Sequence, residues 1–162
     1  MEIRHTSPDD LTRLLEIYAH ARRYMKRTGN PNQWGDVKPS RAAVEKDIAG
    51  GVSYAVCDGD EIYGAFALTQ GPEASYAHIE NGSWLNDEPY LVIHRVASDG
   101  RKHGIISVIL DFCEKQGGNI RLDTHDDNLI MQHLLEKHGY TRCGRVYIDD
   151  GAPRIGYHKV IH

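Results

Sequence analysis

A chain of 162 residues, 40% hydrophobic and 26% charged, has the composition of one ordinary globular domain large enough to bury a core. Its formal net charge of −4 argues against a general nucleic-acid or anionic-membrane binder, and its longest apolar run, Ile105 to Leu110, is far too short to span a bilayer. Cys57, Cys113 and Cys143 form no Cys-x-x-Cys pair, and the opening Met-Glu-Ile-Arg-His has no secretory apolar stretch, so reduced thiols in a cytoplasmic protein are expected.

Met1 to His5 reads as a short strand. Ser7 is placed to cap a helix, with Pro8 at its first position and Asp9 and Asp10 in its first turn. Leu11, Leu14, Leu15 and Tyr18 then recur at helical spacing on one face, and the helix fades near Thr28-Gly29. Asn30 to Gly35 has turn composition around Trp34. A second helix follows Ser40 and stops at Gly50-Gly51. Val52 to Cys57 and Ile62 to Leu68 read as a hairpin turned by Asp58-Gly59.

Gln70 to Glu88 is irregular, with Trp84 in its middle. Pro89 to Ala97 is rich in β-formers, and strict alternation puts Tyr90, Val92, His94 and Val96 on one face. A glycine-bearing loop leads into a helix from about His103 to Gln116. Ile120 to Thr124 is a short strand, and Asp126 or Asp127 caps a helix bearing Met131, Leu134, Leu135 and His138, ended by Gly139. Tyr140 to Ile148 and Arg154 to Val160 read as two last strands. No repeat or linker interrupts the chain, so residues 1–162 are expected to form a single mixed α/β domain.

The stretch from His94 to Ser107 carries the chemistry. A strand runs through a tight loop directly into a helix, whose first N–H groups have no intrahelical partner and whose dipole favours an anion. Arg101, Lys102 and His103 add positive charge, and a pyrophosphate is the ligand this suits. The other reading is an ordinary surface loop with solvated charges.

This stretch resembles the coenzyme A motif of the GNAT superfamily of N-acetyltransferases, Val-x-Pro-x-x-(Arg/Gln)-x-x-Gly-x-(Gly/Ala), with Val96, Ser98, Arg101, Gly104 and Ile106 at its positions. Asn128 to Tyr140 is similar to that family's Asn-x-x-Ala-x-x-Leu-Tyr-Glu-Lys-x-Gly-Phe helix, and the element order agrees over the whole chain. The resemblance implies a mostly antiparallel sheet of about seven strands flanked by four helices and splayed between the fourth and fifth strands. It implies acetyl-CoA as cosubstrate, with pantetheine in the splay beside Val96 and Ala97, the pyrophosphate on backbone donors from Arg101 through Lys102, His103, Gly104 and Ile105 to Ile106, and Ser98 and Ser107 as further coenzyme-binding residues. Asn128, Met131 and Leu135 would lie along the coenzyme. Two residues depart from the pattern: Ile106 replaces a small residue, and Leu135 stands where many relatives carry a tyrosine that protonates the leaving thiolate.

Direct transfer needs a neutral amine and hence a base. His94 is the first candidate; the competing reading is a packed residue with satisfied nitrogens. Tyr90, on the same expected face, suits a hydrogen-bonding or water-relay role. The resemblance places the acceptor between the loop joining the first two helices and the segment before the fourth strand. Trp34 and Trp84 fall there, either as an aromatic clamp or as seals on a core edge. Tyr24, Asn30, Gln33 and Glu80 are further candidates.

His94, His103, His125, His133 and His138 show no recognised ligand spacing, so no metal is expected. The reading is an N-acetyltransferase acting on a small-molecule or peptide amine, without nucleic-acid or membrane partners, as a monomer or homodimer. The alternative is a non-catalytic acyl-CoA-binding sensor or degenerate homologue, to which Leu135 and Ile106 point.

Overall fold

Local signals place most of the helices. In the computed structural model, which describes residues 1–162, Ser40 Oγ accepts the Ala43 N–H at 3.1 Å and starts α2 (Arg41–Ala49). Pro8–Asp10 form a single 3-10 turn instead of the expected first turn of the first helix, so α1 runs over Leu11–Arg27. Its Leu14, Ile17, Tyr18 and Ala21 are buried. Asn128, not Asp126 or Asp127, caps α4 (Leu129–Lys137), its Oδ1 accepting the Met131 N–H at 3.0 Å. The helix α3 begins at Ile105, two residues later than expected, and ends at Glu114. Gly104 occupies its N-cap at φ +78°, a left-handed conformation that glycine adopts without strain.

The strands are β1 (Glu2–His5), β2 (Ser53–Asp58), β3 (Glu61–Gln70), β4 (Leu91–Ser98), β5 (Gly118–Thr124), β6 (Thr141–Tyr147) and β7 (Pro153–Ile161). They form one seven-stranded sheet in the order β1-β2-β3-β4-β5-β7-β6. Every neighbouring pair is antiparallel except β4 with β5. The mixed sheet flanked by four helices is the architecture expected from the sequence.

The parallel pair sets the cleft. Leu91 pairs with Ile120 and Val92 with Arg121, and no later residue of β4 pairs with β5. The strands therefore diverge toward their C-terminal ends, where the N-termini of α3 and α4 both arrive. On one face α3 and α4 pack over a core that includes Val56, Phe66, Ile93, Ile109, Ile120 and Leu135. On the other face α1 and α2 cover Ala55, Ala65 and Ala97. The segment from Gly71 to Tyr90 covers the remainder of that face through Tyr76, Val92 and Val146. Trp84 closes it so tightly that a Cβ on Gly156 would stand 2.7 Å from the indole. No helix is long and apolar enough to cross a membrane.

Strict alternation fails in β4. Ala65 pairs with Ala97 but Ala67 with His94, so Arg95 and Val96 together oppose Phe66 in a β-bulge. Arg95 takes φ +52°, uncommon for a non-glycine residue. The bulge separates the residues expected on one face. Val96 packs against the cluster beneath α3, whereas His94 turns toward Glu73 on the opposite face. Tyr90 precedes the strand and does not belong to it.

Candidate active site

The loop between β4 and α3 is a row of free donors. Gly100 N–H is held by Ser98 Oγ at 3.1 Å and Arg101 N–H by Asp99 Oδ1 at 3.0 Å. From Lys102 through Ser107, no backbone N–H finds an acceptor within the protein. Such a run at a helix N-terminus is an anion cradle, and the helix dipole adds to it. Ile106 packs its side chain against the core beneath α3 and leaves the loop open.

The basic side chains contribute differently from expectation. Arg101 Nε is 2.6 Å from Asp99, its guanidinium reaches Glu61 at 3.3 Å, and it lies over the Tyr63 ring. Lys102 is paired with Asp58 and lies over the same ring. Both cations are thus held on the β2–β3 side, while His103 is exposed. Ser107 Oγ is 3.0 Å from His138 Nε2. Beside the loop, Arg13, His20, Arg23 and Arg101 share an open cleft of about 750 Å³ with Glu16, Glu61 and Asp99. Its arginines and acids largely neutralise one another, and it has no apolar wall.

Across the splay, on the face away from α3, a second set of groups converges. His94 Nε2 lies 3.9 Å from Glu73 Oε2. Burial, and secondarily Arg95, holds the imidazole below its ordinary pKa, while Glu73 and Asp47 oppose that shift. The ring is therefore neutral at neutral pH. Glu73 is placed by its own N–H, which donates to Tyr90 Oη at 2.9 Å. Asp123 on β5 accepts from Tyr76 Oη at 2.7 Å, and burial pushes its carboxyl pKa up against that bond and the nearby Arg154. Arg95 grips Asp47 of α2 through Nε and a terminal nitrogen at 2.7 and 2.8 Å. This two-pronged pair anchors the bulged turn of β4 to α2.

The loop from Gly29 to Ser40 approaches from above. Asn30 Nδ2 and Asn128 Nδ2 both donate to Gln33 Oε1, at 2.7 and 2.9 Å, and Arg154 donates to the Gln33 carbonyl at 2.8 Å. Asn30, Gln33 and Asn128, named from the sequence for two different ligands, thus form one hydrogen-bonded unit.

Other expected site residues lie elsewhere. Leu135 has no exposed surface and packs within the main core, with Met131 partly buried against it, so Leu135 presents nothing to a ligand. Trp34 packs edge-on against Tyr18, whereas Trp84 packs tilted against Tyr76, covers Arg121 and donates its indole N–H to the Tyr76 carbonyl. The two rings sit in separate clusters and make no clamp. Glu80 bridges to Arg145 on the outer strand β6 and accepts from Tyr147, three strands from β4. Tyr24 is exposed on α1. Asp111, Glu114 and His138 bring ligand atoms within 4.8 Å of one another, but the Lys159 ammonium already sits on Glu114 at 2.5 Å.

Sequence reasoning missed Glu73, Tyr76, Asp123 and the Arg95–Asp47 pair. The one signal available was a charged residue, Arg95, inside a mostly apolar strand.

The sheet splits between its only parallel strands with an anion cradle at the mouth, and comparison with solved structures gives this fold a family. An acetyltransferase of the GNAT family from Streptococcus agalactiae 2603 matches with a TM-score of 0.90 and 30% sequence identity, over 99% of this chain and 95% of that chain. A GNAT-family acetyltransferase from Listeria monocytogenes 4b F2365 matches with a TM-score of 0.71 and 21% identity, over 98% of this chain and 93% of that one. An aminoglycoside 6'-N-acetyltransferase in complex with coenzyme A shares the fold at a TM-score of 0.63 and 16% identity, over 100% of this chain and 98% of that one. No protein-family model matches the sequence, and no curated protein matches it. The chain belongs to the GNAT family of acetyltransferases.

Proposed function

We propose that this protein is an N-acetyltransferase that moves the acetyl group of acetyl-CoA to the primary amine of a small molecule or peptide, with residues 1–162 acting as one domain. The observation that carries the reading is the unbroken run of free N–H groups from Lys102 to Ser107 at the mouth of the β4–β5 splay. Only a ligand bearing closely spaced anionic oxygens engages so many donors at once, and the pyrophosphate of coenzyme A is such a group.

The coenzyme supplies an activated thioester. The chain supplies position and proton traffic. The edge of β4 beyond Val92, unpaired with β5, offers backbone groups to the amides of the pantetheine arm. His94, neutral because it is buried, accepts the proton that the amine loses as the C–N bond forms and the C–S bond breaks. Glu73 stands where it stabilises the imidazolium that results. No side chain at position 135 donates to the departing thiolate, because Leu135 is aliphatic and enclosed. That same residue favours the second reading, an acyl-CoA-binding module without catalysis.

One assay separates the two. Thiol release from acetyl-CoA is followed with a panel of alkylamines, amino acids, polyamines and aminoglycosides, beside calorimetric titration with coenzyme A. The transferase reading requires binding together with amine-dependent thiol release. Binding without release from any amine leaves the module, and no binding at millimolar coenzyme A removes both.

A further inference from the structure

The splay sets two side chains opposite each other. Val92 and Arg121 are the last paired residues of β4 and β5, so His94 and Asp123 each stand two residues further on, level with one another across the gap. They also share a face. Val92 packs with Tyr76, and Arg121 lies over the rings of Trp84 and Tyr90, which marks the face covered by Gly71 to Tyr90. Both backbones are held from outside the gap, His94 by its pairing with Ala67 of β3 and Asp123 by its pairing with Gly156 of β7.

Asp123 has no cation partner. Tyr76 Oη donates to its Oδ2 and fixes the carboxylate, whereas Oδ1 takes no hydrogen bond from the protein and is not sealed from solvent. Arg154 acts on it from beyond ion-pair distance, because that guanidinium donates to the carbonyls of Pro153 and Gln33. Arg121 is committed to the two rings and to the Asn86 carbonyl. Glu73, the other carboxylate beside His94, repels Asp123 and meets only the neutral imidazole at 3.9 Å and the Ser75 N–H at 3.4 Å. The side chains of His94 and Glu73 are 21% and 31% exposed, and Asp123 is half-buried, so a ligand in the cleft can touch all three.

We infer that Asp123 determines acceptor specificity: the acceptor is a diamine, one amino group reacting beside His94 and the other, as an ammonium, bound by Asp123 Oδ1 across the splay. This rests on the transferase reading above. The reacting amine is neutral when it attacks, so it cannot be the cation that offsets a half-buried carboxylate. A second, protonated nitrogen does that through a charge-assisted hydrogen bond. Strands stand about 4.8 Å apart where they pair, and these two diverge beyond Val92, so a linker of a few methylenes spans the two sites.

The test compares putrescine with butylamine, which has a methyl group in place of the second ammonium, and with 4-aminobutanoate, which has a carboxylate there. The wild-type protein is expected to favour putrescine over butylamine by about 10- to 100-fold in kcat/KM for thiol release, well beyond what its two equivalent ends supply by statistics. 4-Aminobutanoate should be poorer than butylamine, which tests the inference without any variant. Asp123→Asn keeps an oxygen for Tyr76 and should bring the putrescine to butylamine ratio to within about threefold, with the coenzyme A Kd unchanged. Equal kcat/KM for putrescine and butylamine in the wild type overturns the inference, as does a preference for 4-aminobutanoate over butylamine. An unchanged ratio in Asp123→Asn also overturns it and leaves Asp123 a structural partner of Tyr76. Coenzyme binding with no thiol release from any amine removes the transferase reading instead.

Discussion

At the α3 end of the cleft the free groups are main-chain N–H donors from one continuous loop, Lys102 to Ser107. At the opposite wall they are side chains drawn from distant segments: Tyr76 meets Asp123 from 47 residues away, and Gln33 meets Asn128 from 95. The first wall tolerates side-chain change because its chemistry belongs to the backbone. The second depends on each side chain and on the fold that assembles them. One wall thus suits a constant ligand and the other a variable one.

The sharpest way to break this comparison is to put a charge into the backbone wall. A Cβ on Gly104 meets nothing within 4 Å, and aspartate is among the residues that tolerate a left-handed conformation. Gly104→Asp therefore costs about 1 kcal/mol in backbone strain and keeps the fold. Its carboxylate, about 4 Å from a bound phosphate, opposes binding by about 4 kcal/mol at an effective dielectric of 20. Coenzyme A affinity measured by calorimetry should fall at least about 100-fold. A loss under fivefold would show that the cradle does not hold the phosphates.

The side-chain wall is tested next by His94→Ala, expected to lower kcat about 100-fold and to remove the acidic limb of the pH–rate profile. Glu73→Gln removes the carboxylate that raises the His94 pKa against burial and Arg95. The acidic limb should then move to lower pH, and a histidine C2–H NMR titration should give the same direction. An unmoved limb in both variants means that His94 is only packed there.

How far these walls could be read in advance follows from how each is encoded. The cradle was legible because strand, glycine loop and helix are consecutive, and because the free donors of a first turn are a local necessity. The sheet of seven strands and its splay came with the same resemblance. The side-chain wall was not legible. A single inserted residue at Arg95 reverses which face His94 shares, and alternation alone contains no sign of the Asp47 carboxylate that receives the arginine. Glu73 lies in a stretch with no periodicity. Residue type alone leaves Trp84 open to ligand or to core, and only its contact with Gly156 decides for the core. Motif position alone names Leu135, whereas its burial is a property of the packed sheet.

A smaller effect tests what supports the side-chain wall. His158 is enclosed, its Nδ1 accepting the Leu85 N–H at 3.1 Å and its Nε2 standing 2.9 Å from Asn119 Oδ1. A neutral ring protonated on Nε2 satisfies both bonds, and burial, with Arg121 second, depresses its pKa from 6.5 to about 4. Between those two values the unfolded chain holds more protons than the folded one, so stability falls as the pH drops through that window. Below it both states are protonated and the slope from this group vanishes. Urea midpoints should decline from pH 6.5 toward pH 4, with less slope in His158→Gln. Since Leu85 adjoins Trp84, hydrogen exchange around Trp84 should quicken over the same range. Equal slopes in both proteins would mean that other groups set the acid limit.

The smallest expected effect is the most discriminating one for the backbone wall. Arg101 sits at a motif position and carries a positive charge beside the cradle, so a side-chain account assigns it a large share of phosphate binding. Its guanidinium, however, is committed to Asp99, Glu61 and the face of Tyr63. Asp99 also binds Arg13 at 2.5 Å, so removing Arg101 does not leave that carboxylate unpaired. Arg101→Ala should therefore change coenzyme A affinity by less than about threefold, with the salt dependence of binding nearly preserved. A tenfold loss that diminishes at high salt would mean that the guanidinium swings from Asp99 to the phosphates when the ligand arrives. The cradle would then be a side-chain site after all, and the two walls of the cleft would differ less than their geometry indicates.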